Sequence, residues 1–498
     1  MPKTNNTKQA AWVAIGSLFS FGFGIVSSMI LSRYFNKADY GTYKQVIYVY
    51  GMMLTVFTLG LPKAYSYFLP RVERDQAKSL IKKLTYLFIA LGATFSVVLF
   101  LCAGLFADLL KNPALRDALH LFAIVPLLTL PPMGLEGILS TYRKTQFMAV
   151  YTIISRTFML CCVALPVMIW DLGYMQAILG FVVASAANCI IALILKYYPI
   201  RDAANEPCSI TLKEIFSFSL PLLLANLWGM VILNCDQFFI SRYFGKEVFA
   251  EFSNGFMDLP FVGMIVGACS TVLSPLYSRM SHEKVDLKKE LYPLWISVFS
   301  KTVKLIYPLV LYCVVFADVV MVTLYGEQYE ISSIFFRIKL LADFFTIITY
   351  GPLLINTGKV KFYQAVMMCS ALILVPLEYV TILVFHNPIA VACVSIMCKI
   401  GRILVMLNCV AHIFGIPMYR VFPFQLIGRI LIPSLLILLI IKYVIYSVEV
   451  IHNNSPIILL ISFLLYCILF FAYTYIFKID YIGMVTPLFS RTSSKLNN

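Results

Sequence analysis

Ten ionisable residues stand where the surrounding sequence is otherwise apolar, and they are the residues best placed to do chemistry. Arg156 lies in the middle of one apolar run. Lys399 and Arg402 lie in another, and their i, i+3 spacing puts them on one helix face. Arg337 and Lys339 fall nearer the end of a third run, where long side chains can snorkel. A guanidinium grips oxyanions through paired hydrogen bonds, whereas an ammonium acts as a point charge. Each such charge costs about 2.5–3.5 kcal/mol at the centre of a bilayer, so a partner, a wet cavity or a ligand must offset it. Glu378 is the expected partner of Lys399 or Arg402, and Asp343, one helical turn away, that of Lys339. Arg156 has no acid nearby in sequence, which leaves ligand binding and structural pairing both open. Asp236, Asp258 and Asp318 fall toward the outer ends of their runs, where they cap helices or line a vestibule; one of them is a candidate for coupling to protons or Na⁺. No catalytic constellation accompanies these charges. The 13 cysteines lie almost all within apolar runs, as Cys161, Cys162 and Cys189 do, without a CxxC pair, and the five histidines are scattered, so neither a metal nor a cofactor is expected.

The elements that must carry these residues follow from composition. Of 498 residues, 61% are hydrophobic and only 13% charged, against about a quarter charged in a soluble domain. Apolar runs of about twenty residues recur along the whole chain. The reading is an all-α, polytopic transmembrane bundle of about fourteen helices. The first run, 10–33, is expected to stay as a span, since it is too long for a signal peptide and lacks a cleavage site. The net charge of +15 does not point to nucleic acid, because Lys and Arg cluster between the apolar runs. Alternate connections hold about twenty-five of them on one side and about eight on the other, which places both termini in the cytoplasm. The expected organisation is a cytoplasmic N-terminus (1–9), an N-lobe of six spans (10–200), a linker (201–213), a C-lobe of six spans (214–415), two further spans (416–480) and a cytoplasmic tail (481–498). Outer connections are too short for the catalytic loop of a membrane glycosyltransferase, so a transporter is expected rather than an enzyme. The cytoplasmic loop 281–292 reads either as a solvated loop or as a helix lying on the membrane.

The first span ends in Leu31-Ser-Arg-Tyr-Phe-Asn-Lys-Ala-Asp-Tyr-Gly-Thr-Tyr43, and the seventh ends in Ile240-Ser-Arg-Tyr-Phe-Gly-Lys-Glu-Val-Phe-Ala-Glu-Phe252. SRYF, the Lys after it and the aromatic positions keep one offset, and each copy precedes a span with Pro and Tyr-Ser near its end: Pro62 with Tyr65-Ser66, and Pro275 with Tyr277-Ser278. Six spans separate the copies, so the halves enter the membrane from the same side and a pseudo-twofold axis along the membrane normal is expected. A cleft between halves suits alternating access. Pro131-Pro132 in the fourth span and Gly351-Pro352 at the corresponding place in the tenth interrupt the backbone ladder and are hinge candidates. Packing without motion accounts for them equally.

With LSRYFNKADYGTYKQ, GLPKAYSYFLPR, FSFSLPLLLANLWGMVILNCDQFFISRYFG and LYGEQYEISSIFFRI in place, the sequence resembles the polysaccharide transporters, the Wzx-like bacterial oligosaccharide flippases. These belong to a superfamily that also holds multidrug exporters and lipid II flippases. The resemblance implies translocation of an undecaprenyl-diphosphate-linked oligosaccharide from the cytoplasmic to the outer leaflet of the bacterial inner membrane, for O-antigen, capsule or exopolysaccharide. A polysaccharide polymerase and chain-length proteins would be partners in that pathway, beside membrane lipids. Arg156, Lys399, Arg402 and Arg337 then become candidates for holding the diphosphate. A cation antiporter of the same fold is the alternative; it should concentrate acids at mid-depth, where this chain has cations.

Overall fold

The computed structural model describes residues 6–282, 287–447, 455–479 and 481. Residues 1–5 of the expected cytoplasmic N-terminus, residues 283–286 of the loop 281–292, and residues 482–498 of the tail lie outside the described residues. Among the described residues all regular structure is helical. Twelve helices are long and apolar enough to cross a membrane. Ser332–Thr346 and Tyr350–Asn356, bent by 42° at the break between them, supply a thirteenth crossing if taken together. The protein is therefore a multi-pass membrane protein, since only helices satisfy their own backbone groups in hydrocarbon without closing a barrel.

The remaining apolar stretch, expected as the fourth span at 117–140, is three short helices: Ala114–Phe122, Val125–Thr129 and Leu135–Thr141. Pro126, Pro131 and Pro132 have no N–H to continue the ladder. Gly134 follows with φ 82°, a left-handed conformation that a side chain would oppose, and its position against the Tyr65 ring leaves no room for a Cβ. The seventh helix, Leu212–Gly255, runs past its expected end near residue 240 and is broken at Gly245 (φ 84°, ψ 177°).

The chain divides into two compact units. The first comprises residues 1–253 and 371–391. Its first helix, Asn6–Tyr34, packs along the fifth, Thr145–Trp170, which packs on the sixth, Tyr174–Tyr197. Small residues set these approaches, as is usual where no hydrophobic force drives helices together: Gly16 meets Ala149, and a Cβ at Gly180 would collide with the Cys162 carbonyl. Leu135 and Leu139 of the broken fourth segment bury themselves against Ala192 of the sixth helix.

The second unit comprises residues 254–370 and 392–498. Its ninth span, Tyr292–Val315, packs on the thirteenth, Phe424–Tyr446, which packs on the fourteenth, Ser455–Ile476. Tyr312 donates to the Leu459 carbonyl (2.8 Å) and shares a hydrogen bond with Ser462 (2.9 Å), while Ser434 bonds Tyr466 (2.9 Å). The last two spans are thus joined to this unit by buried polar contacts.

Candidate functional site

Arg156 sits on the fifth helix, one turn after Thr152, and borders two cavities. The first, of about 180 Å³, is lined by Phe23, Ser27, Ser28, Tyr43 and Lys44 beside it. The second, of about 220 Å³, is lined by Trp12, Ser17, Ser20, Glu136 and Thr152 beside it. Both lie along one face of the first helix, where Gly16, Ser17, Ser20, Gly24, Ser27 and Ser28 recur at helical spacing. Among the described residues Arg156 makes no hydrogen bond and no ion pair. Lys44 donates to Ser28 Oγ at 3.1 Å and lies over the Tyr40 ring. Sequence alone does not single out Lys44 or Glu136. Lys44 reads as a residue near a helix end and Glu136 lies in a proline-broken stretch; the Ser/Gly periodicity of the first helix is the signal that points to this face.

In the second unit Lys399 and Arg402 also make no hydrogen bond or ion pair among the described residues, and one guanidinium nitrogen of Arg402 is buried without a partner. Glu378 is the acid expected to neutralise one of them. It belongs to the first unit, is fully buried, and has Cys235 and Asp236 as polar neighbours. Neither carboxylate oxygen has a nitrogen or oxygen hydrogen-bond partner. Asp236 is itself buried and accepts from the Gln237 amide at 3.0 Å.

Lys339 is paired with Asp258 at 3.0 Å, and Asp343, its expected partner, also lies within its electrostatic reach. Lys placed N-terminal to Asp at i, i+4 is the weaker orientation on a helix. The loop before the eighth span, Pro260–His282, is also held close: a Cβ at Gly255 would collide with the Ser332 carbonyl at the start of the tenth segment, Ser332–Thr346. Asp343 accepts from Thr346 at 3.3 Å and keeps one buried oxygen without a partner. Arg337 contacts Asp318 at 3.4 Å and donates to the Val314 carbonyl at 3.2 Å, while Lys442 of the thirteenth span meets the same Asp318 oxygen at 2.9 Å. That network holds the tenth, ninth and thirteenth elements together, so Arg337 is less available to a ligand than Arg156.

The proline break at 131–132 is closed by a residue that sequence reasoning missed. Lys196, fully buried on the sixth helix, donates to the Pro131 carbonyl (2.5 Å) and to the Tyr65 hydroxyl oxygen (3.1 Å). It takes the place of the helical N–H that the broken ladder lacks. Gly351 and Pro352 lie in the first turn of the second helix of the bent pair, just past the break at 347–349. Asn356 donates to the Pro352 carbonyl and to Ser274, both at 2.8 Å.

The two copies of the internal repeat meet each other. Lys37 of the first copy is paired with Glu251 of the second at 2.5 Å. Gln45 donates to Ser241 at 2.7 Å and accepts from Asn112 at 2.6 Å. A Cβ at Gly41 would collide with the Lys246 carbonyl, and Arg242 donates to the Leu109 carbonyl at 2.6 Å. No group of three or more metal-binding side chains occurs among the described residues.

Comparison with known proteins places this arrangement. Residues 30–334 match the family described as polysaccharide biosynthesis protein. The Escherichia coli K12 "Lipopolysaccharide biosynthesis protein WzxC" is 23% identical over 185 residues, a match that spans 36% of this chain and 36% of that relative. Among solved structures, "Lipid II flippase MurJ, inward closed conformation" superposes with a TM-score of 0.70 at 17% identity, covering 94% of this chain and 99% of that one. A point mutant of the Vibrio cholerae MATE transporter VcmN gives 0.56 at 13% identity, covering 82% and 97%. Similarity at this level of identity establishes the fold, and the sequence match establishes the family: the chain belongs to the polysaccharide biosynthesis proteins and has the helical fold shared by MurJ and the MATE transporters.

Proposed function

We propose that the protein is a flippase that moves undecaprenyl-diphosphate-linked oligosaccharide repeat units from the cytoplasmic to the outer leaflet of the bacterial inner membrane by alternating access. The pathway would be O-antigen, capsule or exopolysaccharide assembly. The observation that carries the reading is Arg156, a guanidinium at mid-span with no protein partner among the described residues and a cavity on either side of it. Its cost in hydrocarbon is offset when a diphosphate occupies it, by charge-assisted paired hydrogen bonds. Arg402, with a buried guanidinium nitrogen that has no partner among the described residues, and Lys399, which lies within electrostatic reach of Asp258 and Asp343, extend cationic chemistry to the second unit. The lipid tail stays in the bilayer while sugar and diphosphate pass through protein.

In this scheme the paired repeat segments form the closed outer gate, Pro131-Pro132 and Gly351-Pro352 are hinges, and the buried acids Asp236 and Glu378 are the candidates for ion coupling. Both termini are cytoplasmic, with Lys111 and Glu327 facing outward; single-cysteine labelling in intact cells checks that orientation. A polysaccharide polymerase and chain-length proteins are proposed partners. A strain lacking the protein is expected to keep making lipid-linked repeat units, to accumulate them on the cytoplasmic leaflet and to lose surface glycan. Failure to synthesise the repeat unit would instead mark an enzyme, and intact glycan with accumulated toxic cations would mark an antiporter.

A further inference from the structure

We infer that the larger cavity beside Arg156 is a monosaccharide subsite, in which Trp12 stacks on the sugar ring nearest the diphosphate and Glu136 accepts its hydroxyls. This rests on the diphosphate reading of Arg156 and adds the part of the substrate that the cations do not recognise.

The two cavities differ in charge. The smaller one holds Lys44 and Arg156, whereas the larger holds Arg156 and Glu136. A carboxylate repels a diphosphate, so the anionic group belongs between Arg156 and Lys44, and what extends past Arg156 into the larger cavity is not anionic. The lining there is of the kind that holds a sugar. Trp12 offers a flat apolar face, and Ser17, Ser20 and Glu136 offer oxygens, none of which has a hydrogen-bond partner among the described residues. A carboxylate makes stronger hydrogen bonds to hydroxyls than a neutral acceptor does. At about 220 Å³ the space is below the ~300 Å³ at which ordinary small-molecule pockets begin, so it takes one ring and leaves the rest of the glycan elsewhere. Glu136 is exposed and has no hydrogen bond or ion pair among the described residues, so its carboxylate is open to a ligand.

The test uses purified full-length protein in nanodiscs, titrated by native mass spectrometry with farnesyl diphosphate and with its N-acetylglucosaminyl, glucosyl and galactosyl esters. The wild type is expected to prefer at least one sugar ester over the bare diphosphate by about tenfold, the worth of a charged hydrogen-bond acceptor. Glu136→Gln should lose that preference while binding bare farnesyl diphosphate as well as before or better, because a repulsive charge is gone. Trp12→Leu should lower affinity for every sugar ester and leave the bare diphosphate unchanged. Arg156→Ala should weaken all four ligands. The subsite is overturned if the wild type shows no preference for any sugar ester, or if Glu136→Gln and Trp12→Leu keep the preference while Arg156→Ala weakens all four. If Arg156→Ala binds everything like the wild type, the diphosphate reading itself falls, and the subsite with it.

Discussion

A charge at mid-span without a partner lowers stability, and Arg156 is such a charge on a helix that otherwise carries none. Replacing it with alanine should leave folding intact or improve it, while flipping falls by tenfold or more, roughly the worth of two charge-assisted hydrogen bonds. Arg156→Lys should retain part of the activity, since it keeps the charge and loses the planar grip. Transport normalised to membrane abundance checks both variants. Lys196 should behave in the opposite way. Its ammonium closes the Pro131 carbonyl and the Tyr65 hydroxyl inside the first unit, so Lys196→Ala should cost about 1–3 kcal/mol and lower the melting temperature of the detergent-solubilised protein. The difference between these residues explains what sequence could show. Arg156, Lys399 and Arg402 interrupt apolar runs and are visible by position alone. Lys196, Lys44 and Glu136 stand near helix ends, where a charge draws no notice and a Lys can snorkel; the roles of Lys196 and Glu136 depend on how the broken fourth segment folds, and that of Lys44 on its contact with Ser28 of the first helix.

Among the helical elements, length and apolarity set most of the structure in advance, since a span of about twenty apolar residues has one stable form in a bilayer. The fifth and sixth helices, the eleventh, Val360–Phe385, and the twelfth, Pro388–Phe414, lie close to the spans 146–170, 173–197, 361–386 and 388–414 where hydropathy places them. The fourth departs because its prolines and the left-handed Gly134 break it into three, and Lys339 gains an ion pair with Asp258 that sequence does not show because a loop packed on the tenth segment brings that acid to it. The repeat is legible as sequence, but its mutual packing is not, because periodicity carries no information about which copies touch. That packing yields a prediction. Lys37→Cys with Glu251→Cys, bridged by a short thiol crosslinker in a background without other reactive cysteines, should stop transport and release it on reduction, provided the contact opens in each cycle. Reversing both charges, Lys37→Glu with Glu251→Lys, should restore activity lost in either single reversal, as measured by surface glycan.

For the whole molecule, the family and fold give a membrane-embedded helical protein of polysaccharide biosynthesis, and the charge pattern gives the proposed cargo. Arg156, a cation at mid-span with no hydrogen bond or ion pair among the described residues, fits an anionic lipid-linked substrate and disfavours a cationic drug, which a like charge would repel. Composition makes the membrane class evident, because 61% hydrophobic residues with 13% charged leave no soluble alternative of this length. The cargo is less legible, since the cavities that border Arg156 exist only after the first and fifth helices pack. The most direct measurement is translocation in proteoliposomes containing a fluorescent undecaprenyl-diphosphate-linked oligosaccharide, followed by its exposure to a membrane-impermeant quencher. Wild-type vesicles are predicted to expose labelled lipid that began in the inner leaflet, at a rate that Arg156→Ala reduces by tenfold or more. Wild-type vesicles that expose no more than protein-free vesicles, or that move a labelled organic cation in its place, would contradict the account.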